Sequence, residues 1–146
     1  MHKVPGSGED VPPEPILRKM RIPLVQRARL THRGVAEDVF TADIGLLGVF
    51  VERALPLPAG EEVELRFALP GNEIPIVARC RVAWFHGEGM RLLSKTLPPG
   101  VGLEFIEQPE QDRERLRRHV LEHLRRHPAD RRFNRQWPEK GGGGDK

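Results

Sequence analysis

Asp43 is the side chain best placed for chemistry in this chain. It stands in the run Ala42-Asp43-Ile44-Gly45-Leu46-Leu47-Gly48-Val49-Phe50-Val51, which reads as a strand, a tight glycine turn and a second strand. Gly45 and Gly48 permit φ > 0 and the close approach of another molecule. A carboxylate at the mouth of such a turn can meet a ligand or bond its own backbone, as turn aspartates do. A second constellation, His119-Val120-Leu121-Glu122-His123, spells H-x-x-E-H, the zinc motif of one metallopeptidase class. No distant acidic ligand is placed to complete it and arginines crowd it, so no metal is expected there. The single cysteine, Cys80, excludes an internal disulfide and a multi-cysteine metal site, and is expected to be a small core residue. No nucleophile–base pair or phosphate-cradling loop rises from the rest. The expectation is therefore no catalytic residue, no cofactor and no enzyme activity.

The elements that position Asp43 are short strands. The chain has 146 residues, of which 38% are hydrophobic, with 15 Gly and 14 Pro. That composition fits one domain whose core spans about a hundred residues or fewer. Residues 1–16, rich in Pro, Gly and acid, are expected to form a disordered or extended leader. From Pro23 to Glu107 the chain reads as six short strands separated by turns. The clearest alternation sets Val63, Leu65, Phe67 and Leu69 against Glu62, Glu64, Arg66 and Ala68. Another strand places Ile76, Ala78, Cys80, Val82 and Trp84 inward, with Trp84 as core or barrel rim. Six antiparallel strands predict a small closed or partly closed barrel, about residues 21–107. A helix follows over about 109–127, with Pro109 in its first turn and an apolar stripe of Leu116, Val120, Leu121 and Leu124. Residues 128–146 are expected to be a basic, Gly-rich flexible tail.

Net charge is +3, but its distribution says more: residues 1–20 sum to 0, 21–108 to −1 and 109–146 to +4. The strand region is near neutral, so no specific nucleic-acid partner is expected. With no Tyr and few Phe, a base-stacking platform has little support as well. No secretory pattern opens the chain and no apolar run nears the ~20 residues that span a bilayer, so a cytoplasmic location without a membrane partner is expected.

Several segments, in order, resemble the PilZ domain family, the bacterial modules best known for reading cyclic di-GMP. Arg21-Ile22-Pro23-Leu24 resembles the start of the first PilZ strand, and ADIGLLGVFVE resembles the D-x-S-x-x-G turn with its strand. LPLPAGEEVELRFALPG, ARCRVAWF and VGLEFIE with its following helix resemble the later strands and the end of the domain. The resemblance covers residues 18 to about 125 and implies a mainly β fold: a small six-stranded antiparallel PilZ-like β-barrel with a C-terminal amphipathic α-helix, over residues 17–127.

The resemblance also implies a ligand and its contacts. PilZ receptors bind cyclic di-GMP with an R-x-x-x-R motif before the first strand and with the D-x-S-x-x-G turn. Arginine offers a planar fork for phosphate or the guanine O6/N7 edge, and a carboxylate accepts from guanine N–H groups. The family's second arginine falls on Arg21, its aspartate on Asp43 and its last glycine on Gly48. Its first arginine falls on Leu17, with Arg18 one position later, and its serine falls on Gly45. The implied ligand residues are therefore Arg18, Arg21, Asp43, Gly45 and Gly48. Doing without one arginine bond and one serine bond costs ~2.5–4 kcal/mol, or two to three decades of affinity. Two functions follow from the resemblance. One is a cyclic di-GMP receptor with weakened motifs. The other is a degenerate adaptor that acts through a protein partner, with the helix face around Leu116, Val120, Leu121 and Leu124, or the barrel rim, as its surface.

Overall fold

The computed structural model describes residues 13–71, 74–87 and 99–127, together with the backbone of 132–133. Its elements are α1 (Glu14–Leu17), β1 (Met20–Pro23), β2 (Arg27–His32), β3 (Val35–Gly45), β4 (Gly48–Glu52), β5 (Glu62–Phe67), β6 (Ile76–His86), β7 (Gly100–Glu107), α2 (Glu110–Arg126) and β8 (Arg132–Phe133). Strands β2-β5-β6-β7-β4-β3 lie side by side, and pairing of β2 with β3 closes the six into an antiparallel barrel. The expected strands are these six. Val63, Leu65 and Phe67 of β5 point inward and Glu62, Glu64 and Arg66 outward, the alternation that a half-buried strand requires.

Two further strands lie outside the six. β1 pairs with the last residues of β3, and β8 pairs with β1. The end of the segment expected to be an extended leader, residues 1–16, is helical instead: it forms most of α1, where the amides of Ile16 and Leu17 bond the Pro13 carbonyl and Leu17, the first residue of the expected domain, is fully buried in the core. The rest of that leader, residues 88–98 and most of the expected tail lie outside the described residues. Among the described residues, no helix is long and apolar enough to cross a membrane.

A bulge in β3 determines where Asp43 faces. The register with β4 shifts between Thr41, opposite Val51, and Asp43, opposite Phe50. Val39 and Thr41 occupy the buried face, and strict alternation would carry Asp43 onto it as well. The extra residue moves Ile44 into the core cluster instead and frees Asp43 for the other face. Thr41 stays inside without an orphan hydroxyl, donating to the Leu24 carbonyl at 2.7 Å and accepting from the Gln26 amide at 3.0 Å.

Across the sheet from Asp43 lies an aromatic row. Phe50 pairs with Asp43 on one side and Gly102 on the other, and Gly102 pairs with Trp84. The Phe50 and Trp84 rings stack with centroids 5.3 Å apart. A Cβ on Gly102 would overlap the Trp84 indole, and one on Gly100 would overlap the Phe50 ring and the Val51 carbonyl. The glycines of β7 thus make the hollow that the two rings fill. Trp84, expected inward with Val82, stands instead on the face of Asp43 and Phe50, half-buried, because the register of β6 with β7 shifts between Val82 and Trp84 and Phe85 packs against the core.

Helix α2 corrects the expectation for its stripe. Leu116, Val120 and Leu124 are 0–2% exposed and belong to the same core cluster as the barrel, with Leu121 packed against it. Each buried side chain contributes roughly 1.5–3 kcal/mol. A stripe that covers the barrel cannot also receive a partner. The helix is further held by Arg117, which bonds both carboxylate oxygens of Glu14 in α1 at 2.7 and 3.1 Å, and by Arg115, which bonds the Ile74 carbonyl. Cys80 is buried, and burial pushes its thiol pKa up to about 12, which makes it a packing residue without thiolate reactivity.

Candidate functional site

The bulge in β3 and the short reach of β1 bring Arg21 and Asp43 together. Arg21 sits opposite Gly45 in the β1–β3 register, and Pro23 sits opposite Asp43. Arg21, Gly45 and Asp43 therefore share one face while Ile22 and Ile44 turn into the core. From there the Arg21 guanidinium lies along the strand and reaches the carboxylate. Its Nε donates to Asp43 Oδ1 at 2.9 Å, and Nη2 donates to the same oxygen. Nη1 donates to the Gly48 carbonyl at 3.3 Å, and Nη2 also reaches the Asp43 carbonyl at 3.5 Å. Arg21 and Asp43 are only 6% and 8% exposed. Burial pulls the Arg21 pKa below its usual value while the Asp43 charge opposes the change; an arginine this basic stays protonated. A buried charge needs such partners, and the pair supplies them.

Four of the five implied ligand positions meet here: Arg21, Asp43, Gly45 and Gly48. The Arg21 side chain bonds both Asp43 and the Gly48 carbonyl. Gly45 has a steric reason of its own. A Cβ at this position would lie 2.5 Å from the Met20 carbonyl oxygen, so strand β1 occupies the space a serine would need. Neither Gly45 nor Gly48 has positive φ; among the described glycines that backbone belongs to Gly34, Gly60 and Gly71. The left-handed geometry expected for the turn glycines is thus corrected, and at Gly45 close strand approach takes its place. Replacing Gly45 with serine is expected to destabilise the domain by about 1–3 kcal/mol, because backbone, not a flexible side-chain tip, must move. A shift of the urea midpoint at constant slope measures it. A serine variant as stable as the parent would contradict the packing.

Arg18 lies apart from the pair. It borders a groove of about 630 Å³ between α1, the Leu46–Leu47 turn, the end of β7 and the first half of α2. Arg113 and Arg117 also border the groove, with Glu14, Glu107, Glu110 and Glu114 among them. Leu17, at the family's first arginine position, is a core residue and cannot face a ligand. The histidines of H-x-x-E-H run along α2. Burial and the neighbouring His123 draw the His119 pKa down, and the His123 and His127 rings lie 4.8 Å apart. Among the described residues no three potential metal ligands converge.

The family model of the PilZ domain matches residues 18–122. The chain belongs to the PilZ domain family. Its fold is similar to the Bacillus subtilis inhibitor of motility, MotI/DgrA, with a TM-score of 0.62 at 21% identity over 79% of this chain and 53% of that one. It is also similar to the PilZ domain of YcgR from Escherichia coli, solved with c-di-GMP, with a TM-score of 0.56 at 15% identity over 77% of this chain and 96% of that one. The chain thus spans about half the length of the MotI chain and nearly all of the YcgR domain. No curated protein sequence matches it. At these identities the likeness concerns the PilZ fold, and the ligand follows from neither.

The sequence singled out Arg21 and Asp43 but missed what they do to one another. A salt bridge between residues 22 apart leaves no local signature, and the same residue types serve a ligand or each other. Leu17 did carry a signal: an apolar residue at a position that a receptor reserves for arginine points toward the core.

Proposed function

We propose that this PilZ domain is a non-enzymatic, cytoplasmic regulatory module that acts through protein contacts and does not take up cyclic di-GMP at signalling concentrations. The observation that carries this reading is the buried Arg21–Asp43 pair. A guanine that claimed either group would first have to separate them, and leaving one such charge unpaired costs about 3–5 kcal/mol. Leu17 and Gly45, which offer a ligand neither a guanidinium nor a hydroxyl, weaken binding further, and each 1.4 kcal/mol is a decade of affinity.

The receptor reading has one observation in its favour. Arg18 borders a groove beside the same turn, next to Arg113 and Arg117. In that reading Arg18 replaces the arginine absent at Leu17 and the ligand's charge offsets the cost of opening the pair. Isothermal calorimetry separates the two. The adaptor reading expects no saturable heat with cyclic di-GMP up to about 100 μM. A stoichiometric micromolar isotherm would establish the receptor instead.

A further inference from the structure

Arg66 of β5, opposite Arg29 of β2, stands outside the ion-pair pattern of the barrel. Elsewhere on the barrel, outward arginines meet carboxylates. Arg79 of β6 bridges Glu62 of β5 and Glu107 of β7, Arg53 bonds Glu37, and Arg33 bonds Glu61 at 2.6 Å. On β2 and β5 the pattern breaks. Arg29 and Arg66 stand directly opposite one another in the antiparallel register. Like charges in that position destabilise a sheet. Arg29 is met from its other side by Asp38 at 2.8 Å. Among the described residues Arg66 has no carboxylate partner: its neighbour on β6 is Val77, and Glu64 lies two positions along its own strand, between Thr31 and Arg79. Beside this pair the Arg27 guanidinium sits 5.9 Å from the centroid of the Phe40 ring, which is 47% exposed. A shallow concavity of about 240 Å³ runs past Arg27, Arg29 and Arg66.

We propose that this wall of β2 and β5, with the Phe40 edge, is the docking face for an acidic protein segment. The inference rests on the adaptor reading and names the chemistry of its partner. The Arg66 guanidinium, opposite Arg29 across the strands, can take a carboxylate, which relieves the repulsion between the two as it binds. Phe40 gives an apolar side chain of the same segment a place to lie. An extended peptide with alternating acidic and apolar residues presents those groups at the strand's own spacing. A nucleic acid, whose phosphates repeat along its whole length, fits less well than a segment that can set single carboxylates against Arg66 and apolar residues toward Asp38 and Glu52, which stand in and beside the patch.

The test is an amide-resonance titration of the whole chain with a short peptide alternating aspartate and leucine. A lysine–leucine peptide and a mixed-sequence single-stranded oligonucleotide serve as comparisons. The acidic peptide is expected to move resonances of Arg27–Arg29, Asp38–Phe40 and Arg66. Arg66→Glu is expected to weaken it at least about tenfold, while the melting temperature stays level or rises, because glutamate opposite Arg29 replaces repulsion with attraction. A residue kept for stability would show a loss on melting instead. Acidic binding no tighter than that of the basic peptide, shifts elsewhere on the barrel, or larger shifts from the oligonucleotide would each overturn the proposal. Cyclic di-GMP added to the same samples keeps the two claims distinct. Saturation at Arg21 would overturn the adaptor reading, whereas silence of both ligands would overturn only the docking face.

Discussion

Replacing Asp43 with alanine is expected to lower the stability of the domain by about 3–5 kcal/mol, the cost of leaving a buried arginine without its counter-ion. In a domain of this size each kcal/mol moves the melting midpoint by about 2–8 °C, so the change is large in a thermal scan. Asp43 holds Arg21 through two guanidinium nitrogens, whereas the carbonyls of Gly48 and Asp43 are neutral acceptors at 3.3–3.5 Å. They cannot replace a carboxylate. The double variant Arg21→Met/Asp43→Leu should recover most of the loss, because removing both charges removes the desolvation cost along with the attraction. A single variant that melts with the parent would show that the pair carries no structural charge. The same consideration bears on binding tests: an Asp43 variant loses stability for reasons unrelated to any ligand, so loss of binding in it is no proof of contact.

A glutamate at Leu124 should unfold the helix from the barrel, whereas one at Leu121 should be tolerated. Leu124 is 2% exposed and belongs to the core cluster with Leu116 and Val120. Truncating such a leucine costs about 2–5 kcal/mol, and a charge adds desolvation to that. Leu121 is half-buried, so a carboxylate there can turn to water. Chemical denaturation of the two variants checks this. Equal, small effects would mean that the stripe is not packed on the barrel and is open to a partner after all.

The barrel was legible in the sequence because its strands alternate. Val63-Leu65-Phe67 and Ile76-Ala78-Cys80-Val82 repeat every second residue, and this period needs no knowledge of neighbours. Pro109 and the helical spacing of Leu116, Val120 and Leu124 likewise marked α2. What the stripe faces was not legible, since an amphipathic face packs equally well on its own barrel or on another chain. The bulge before Asp43 was hidden for a related reason: one extra residue in a strand changes no residue type, only the face that later residues take. β1 is four residues long and owes its place to pairing with the end of β3 and to Leu17 anchoring the turn before it. Short pairings of that kind depend on tertiary contacts. For the site, the positions were readable and their state was not. Arg21 and Asp43 read as groups for a ligand, and the fold sets each against the other.

The most direct measurement follows the Arg21 Nε–H resonance in labelled protein as cyclic di-GMP is added to about 1 mM, where even binding near −4 kcal/mol would be seen. If the guanidinium is locked on Asp43, the resonance stays in place, and its exchange with solvent stays slow. A shift that saturates with ligand at micromolar concentration would mean that the pair opens for the nucleotide, and the adaptor account would be wrong.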